Sequence, residues 1–232
     1  ELDCIAEKVV EHLLDLARDL AAGAGDVVNA RPLEIQRTPE GPLPPGEDPS
    51  GITIDEKAKL VMKAIESLEG FDQRLRQVKA VYRDSSAVFQ VANSEGVLGK
   101  DTRRQGVFLV QVIASEGSHV QVGYEPVGGT GGYGVFRSMD PQEVAHTAAK
   151  RALTMLEAPD APAGRMAVVL SSEAGGTMVH EAVGHGLEAD LCGQGRSVYA
   201  GKQGQQVASP LICVVDDPTL PGRRGSYNLD DE

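Results

Sequence analysis

The sequence lacks any apolar run of the roughly 18 residues a membrane-spanning helix needs, so no span is expected. It starts at Glu1 and has no basic stretch leading into an apolar core, so it shows no signal peptide. Both ends are expected to lie inside a longer protein. Cysteine is scarce: Cys4, Cys192 and Cys213 are the only three in 232 residues. Three thiols in so long a chain make no disulfide framework, and a reducing cytoplasm is the expected compartment. Positive charge is in deficit, with 22 Lys and Arg against 34 Asp and Glu and a net charge of -12. Such a surface repels phosphate backbones and lacks the basic stripe of nucleic-acid binders, so direct nucleic-acid binding is not expected. No internal repeat is visible. What remains is ordinary globular composition, 41% hydrophobic and 24% charged, enough for one large domain or two small ones.

Periodicity divides the chain into three parts: 1–70, 71–165 and 166–232. In the first, Leu2, Ile5, Ala6, Val9, Leu13, Ala17 and Leu20 recur at helical steps, and Gly23 reads as the stop. Residues 24–52 hold Pro39, Pro42, Pro44, Pro45 and Pro49 and read as a loop, because proline breaks helices and central strands. Thr53 and Glu56 form a capping box for a helix that buries Ala58, Met62, Ile65 and Leu68 and stops at Gly70. The period then changes to two. QVKAVYRD, SAVFQVANSEG, GVLGKDTRR, GVFLVQVIASEG and SHVQVGYE read as the strands of an antiparallel meander over about 75–125, with turn residues between them. Apolar residues on both faces of the fourth segment (Val107 and Leu109 against Phe108, Val110 and Val112) predict a sheet covered on both sides, or one with a partner.

VGGTGGYG, residues 127–134, has neither the Lys-Ser/Thr of a phosphate-binding loop nor the acidic residue that follows a dinucleotide-binding turn, so it reads as a flexible loop or hairpin tip. Asp140, Pro141 and Glu143 open a helix that runs to about Glu157. MAVVLSS then reads as a short strand, and Ser171 or Ser172 as the cap of the next helix. The fold class is α+β: N-terminal helices, an antiparallel β-sheet with covering helices, and a strand-helix unit at 166–232.

That last unit carries TMVHEAVGHGLEADLC, residues 177–192. His180 and His185 are five apart. On a regular helix, positions five apart point about 140° away from each other, whereas positions four apart differ by about 40°. One extra residue in the turn, a π-bulge, brings such a pair back to one face. Gly184 and Gly186 flank His185 and permit that distortion, so a bulge or a helix end is expected between the histidines. With His180 and His185 on a metal, Glu181 sits beside it as a general base on water and then a proton donor to a leaving amine. Glu188 and Asp190 are placed to hold imidazole N–H groups. The same residues also fit a solvated polar patch on a helix surface. His119 and His146 stand apart in strand and helix contexts, Cys213 lies in an apolar strand and reads as core, and Asp216, Asp217, Asp230 and Asp231 read as turn caps or partners of Arg223 and Arg224, with an acidic divalent-cation site as the other reading.

HEAVGHGLEAD resembles the HExxxH signature of the TldD/PmbA family of metallopeptidases, historically described as modulators of DNA gyrase. MAVVLSSEAGGTMVHEAVGHGLEAD and VYAGKQGQQVASPLICVVDDPTLPGRRGSYNLDDE resemble the same family, so the likeness is strongest over 166–232. The TldD branch fits better than the TldE/PmbA branch, which lacks the histidines. The resemblance implies a zinc-dependent cytosolic peptidase acting on unfolded or flexible peptides, as a homodimer or as a heterodimer with a TldE/PmbA-like subunit. It makes His180 and His185 zinc ligands and Glu181 the catalytic acid/base. Its third protein ligand is a cysteine outside this stretch, which implies an incomplete, inactive site in these 232 residues alone. The other reading is a catalytically inactive peptide-binding or scaffold subunit of a TldD/TldE-like complex.

Overall fold

The structure is a computed structural model that describes residues 36–37, 41–92 and 97–229. The helix expected over 2–22 lies outside the described residues. The rest falls into two compact units, one made of residues up to Ala158 together with 217–229, the other of Pro159–Asp216.

The first unit is built on three long strands. β1 (Gln36–Arg37) adds only a two-residue parallel bridge to the start of β3 (Val97–Glu116). β3 lies between β2 (Leu75–Ala92) and β4 (His119–Thr130), antiparallel to both. Gly117, at φ 59°, supplies the left-handed residue of the tight turn between β3 and β4.

The expected meander thus has fewer and longer strands. Two breaks read from the sequence do not occur, because the polar stretches that suggest them pair with each other. Asp84 lies opposite Gly106, Ser85 opposite Gln105 and Ser86 opposite Arg104. Tertiary partners then satisfy the charges: Asp84 takes the Tyr82 hydroxyl at 2.8 Å and the Lys57 ammonium at 2.6 Å, and Arg104 reaches Asp48 at 2.8 Å. The glycine-rich stretch at 127–134 also departs from its loop reading. Its first four residues extend β4, and a side chain at Gly132 would stand 1.9 Å from the Glu47 carbonyl oxygen. The glycine is there for close backbone approach.

One face of the sheet is buried. Phe108, Val110, Val112 and Ala114 alternate along β3 and are fully inaccessible to solvent. Each of the three larger side chains contributes about 1.5–3 kcal/mol by leaving water. They pack with α1 (Ile54–Glu66) and α3 (Pro141–Glu157), which supply Ala64, Val144, Ala145, Ala148, Ala149 and Ala152 to one cluster. The expected capping box of α1 is present, with Glu56 N–H on the Thr53 hydroxyl at 3.3 Å and Thr53 N–H on the Glu56 carboxylate at 3.3 Å. α3 begins as expected, with Asp140 at the N-cap and Pro141 in the first turn. Its alanines let it lie close to β4: a side chain at Gly123 would meet the Ala148 carbonyl oxygen at 1.9 Å. Between β4 and α3 a single short turn, α2 (Gly134–Arg137), seats Phe136 in the core. The opposite sheet face, with Val107, Leu109 and Ile113, is only half-buried, and Val120, Val122 and Tyr124 are exposed, so only one side is covered among the described residues.

Residues 217–229 return to this unit as a strap. Asn228 takes the Leu43 amide on its side-chain oxygen at 2.9 Å and gives its own amide hydrogens to the Leu43 carbonyl at 2.8 Å and Asp101 at 3.2 Å.

The second unit contains α4 (Ser172–Val179), a π-helical turn (His180–Gly184), a 3-10 turn (His185–Leu187) and α5 (Ala189–Gly193). The strand expected at MAVVLSS does not form. No described strand offers its backbone a ladder, and Val169 is fully exposed. LICVVDD is likewise irregular, and Cys213 is exposed rather than core. None of this unit's described residues is buried.

Candidate metal centre

The Ser171 hydroxyl caps α4 by accepting the Ala174 amide at 3.4 Å. The helix runs regularly as far as Val179 and then widens. His185 N–H donates to the His180 carbonyl, the five-residue step of a π-turn. The expected bulge is therefore present, and it sits between the two histidines.

The bulge brings the imidazoles together. Their ring centres lie 4.5 Å apart at 71°, edge to face. Glu181 joins them: one carboxylate oxygen stands 3.6 Å from His185 Nε2. One candidate ligand atom from each of His180, Glu181 and His185 lies within 4.8 Å of the other two. All three residues are exposed.

Glu188 holds His185 from the other side, with its carboxylate 2.6 Å from Nδ1. In the neutral ring this places the proton on Nδ1 and leaves Nε2 with a free lone pair facing Glu181. The hydrogen bond to Glu188, its charge and the charge of Glu181 push the His185 pKa above its ordinary value, against a smaller opposing effect of burial. Two imidazoles with an adjacent carboxylate, one ring already fixed through its distal nitrogen, are a donor set that suits a zinc-type ion.

Of the other residues singled out in sequence, Asp190 accepts the Leu191 amide at 2.7 Å and does not reach an imidazole. The Cys192 thiol donates to the Gly186 carbonyl at 3.4 Å and is not among the clustered ligand atoms. His146 lies in the first unit, its ring tilted against Phe71 and its Nε2 at 3.2 Å from the Ser67 carbonyl. Asp217 caps a turn by accepting from the amide and hydroxyl of Thr219. Sequence spacing gave no signal for Ser197 and Tyr199, both of which close on Gly186 next to His185.

Two family models match the chain: the PmbA/TldA metallopeptidase central domain over residues 47–156 and the PmbA/TldA metallopeptidase C-terminal domain over residues 163–232. The chain belongs to the TldD/PmbA family. A metalloprotease of Methanothermobacter thermautotrophicus is 36% identical over 184 residues, covering 79% of this chain and 40% of the relative. A metalloprotease TldD homolog of Haemophilus influenzae is 34% identical over 186 residues, 78% of this chain and 39% of that protein. The chain thus spans about two-fifths of the length of these relatives. The fold resembles a Bacteroides thetaiotaomicron protein described as a candidate modulator of DNA gyrase, with TM-score 0.71, 17% identity, and coverage of 88% of this chain and 46% of the other. No helix among the described residues is long and apolar enough to cross a membrane.

Proposed function

We propose that the chain belongs to a zinc-dependent peptidase that cuts unfolded or flexible peptides. The observation that supports this reading best is the meeting of His180, Glu181 and His185 across the π-turn. His180 and His185 would hold the ion through imidazole nitrogens, and the family likeness implies a cysteine from outside the cluster as the third protein ligand. When bound, zinc supplies Lewis acidity toward a peptide carbonyl and toward a water molecule.

The chain's own groups handle the proton. Glu181 accepts it at a carboxylate oxygen as water adds to the peptide carbon, then delivers it to the amide nitrogen as the C–N bond breaks. Glu188 keeps His185 in the tautomer whose Nε2 faces the site. The exposure of all three residues suits an extended peptide better than a folded one. From the family likeness we assign a cytoplasmic enzyme working as a homodimer or with a TldE/PmbA-like subunit.

The test is bound zinc per chain in the full-length protein, with cleavage of an unstructured peptide followed in parallel. His185→Ala should lose both zinc and cleavage. Glu181→Gln should keep zinc and lose cleavage. A wild-type protein that takes up no zinc would refute the peptidase reading and leave a peptide-binding subunit.

A further inference from the structure

We infer that Ser197 and Tyr199 are positioning residues of the histidine pair: they clamp the Gly186 peptide and so hold the π-turn that brings His185 to His180. The inference rests on the metal-centre reading above.

Gly186 follows His185 directly. Its carbonyl accepts the Ser197 hydroxyl and, at 3.4 Å, the Cys192 thiol. The Ser197 oxygen in turn accepts the Tyr199 amide at 3.1 Å, which leaves its hydrogen for Gly186. The Tyr199 ring covers the other side of the residue. A side chain at Gly186 would stand 2.8 Å and 3.0 Å from two ring carbons. Gly186 is half-buried, while His180, Glu181 and His185 are exposed.

The two glycines beside His185 therefore differ. At Gly184 an added methyl would come no nearer than 3.9 Å to another atom, so that site is open. Gly186 is a fixed contact. The distinction matters because the π-turn competes with a regular helix. Regular pairing would swing His180 and His185 about 140° apart and end their shared reach. A clamp one residue beyond His185 opposes that reversion, since the rewinding would have to move Gly186 away from Ser197 and Tyr199. Glu188 fixes the rotation of the His185 ring, and the clamp fixes the backbone that carries it.

The experiment measures zinc affinity of the full-length protein by competition with a chromophoric chelator, together with the visible absorption of its cobalt-loaded form. Gly186→Ala and Ser197→Ala should each weaken zinc binding by about 10- to 100-fold, the range for outer partners of metal ligands, and change the cobalt spectrum. Ser197→Thr should retain affinity through its hydroxyl. In a Tyr199→Ala background, Gly186→Ala should cost nothing further, because the methyl then has room. That double variant separates the clamp from a general loss of folding. Unchanged affinity and spectrum in Gly186→Ala and Ser197→Ala, with zinc still lost in His185→Ala, would overturn the clamp and leave the metal centre standing. Zinc bound equally well by wild type and His185→Ala would overturn both.

Discussion

His185 Nδ1 and the Glu188 carboxylate lie 2.6 Å apart, three residues from each other along the chain. The contact raises the pKa of His185, chiefly through the hydrogen bond itself. An imidazole must be neutral to ligate a metal, so protons compete at a higher pH than for an ordinary histidine. Zinc affinity should therefore fall as pH drops through the raised His185 pKa. Glu188→Gln should return the titration of the His185 ring protons in metal-free protein toward lower pH, as followed by NMR. The same variant should lose about 10- to 100-fold in zinc affinity when both proteins are compared at a pH above their His185 titrations, where only the orientation and basicity of the ring differ. An unchanged titration would show that the pair does not persist in solution.

The strap at 217–229 depends on a buried carboxylate. Asp101 is 5% exposed, accepts Arg103 Nε at 2.9 Å, and receives the Asn228 side chain at 3.2 Å and amide at 3.3 Å. Burial pushes its carboxyl up, but the hydrogen bonds from Arg103 and Asn228 together outweigh it and leave the pKa below the ordinary value. Asn228→Ala should destabilise the first unit by about 1–3 kcal/mol, the cost of leaving buried polar groups unpaired, as read from the denaturant midpoint. Because the folded pKa is depressed, the stabilisation is present above the unfolded carboxylate value and is lost as pH falls through the folded one. Acid titration should show the Asn228→Ala protein losing less stability below pH 4 than the wild type, roughly the unfolded aspartate value.

What could be read from sequence is what short-range chemistry decides. The box at Thr53 and Glu56, the Asp140-Pro141 helix start and the bulge demanded by a five-residue histidine spacing each rest on residues a turn or two apart. What was not legible depends on distant partners. Ser85 and Gln105 read as breaks between strands, and only their pairing with each other across the sheet carries β2 and β3 through them. MAVVLSS has the composition of a strand, and without a neighbour for its hydrogen bonds it is irregular. Ser197 and Tyr199 lie 11 and 13 positions beyond Gly186, with α5 between, and no periodicity links them to it.

Gly123 sets the distance between β4 and α3. A methyl there would stand 1.9 Å from the Ala148 carbonyl oxygen and 2.5 Å from the Ala152 nitrogen. Those are backbone atoms of a helix, so neither can rotate away as a side chain would. Gly123→Ala should cost at least the 1–3 kcal/mol or so typical of overpacking, with loss of tertiary circular dichroism before secondary structure. Gly134→Ala is the control: nothing lies within 4 Å of the added carbon, and the change should be near neutral. Equal midpoints for the two variants would show that α3 sits farther from the sheet than this.

The unit that carries the histidine pair should fail to fold by itself. Its described residues, 159–216, include none that is buried, while Val169, Leu211 and Val215 are 100%, 91% and 77% exposed. Ordering each residue costs roughly 1–2 kcal/mol of backbone entropy, and without apolar burial nothing of that size offsets it. The first unit has the opposite balance, with a closed core of Phe108, Val110, Val112 and the alanines of α3. Residues 159–216 expressed alone should give no cooperative thermal transition by calorimetry, with or without zinc. If zinc alone produced one, the histidine pair would be a folding nucleus in its own right, as in small structural zinc domains, and its ligands would have to be complete within this segment.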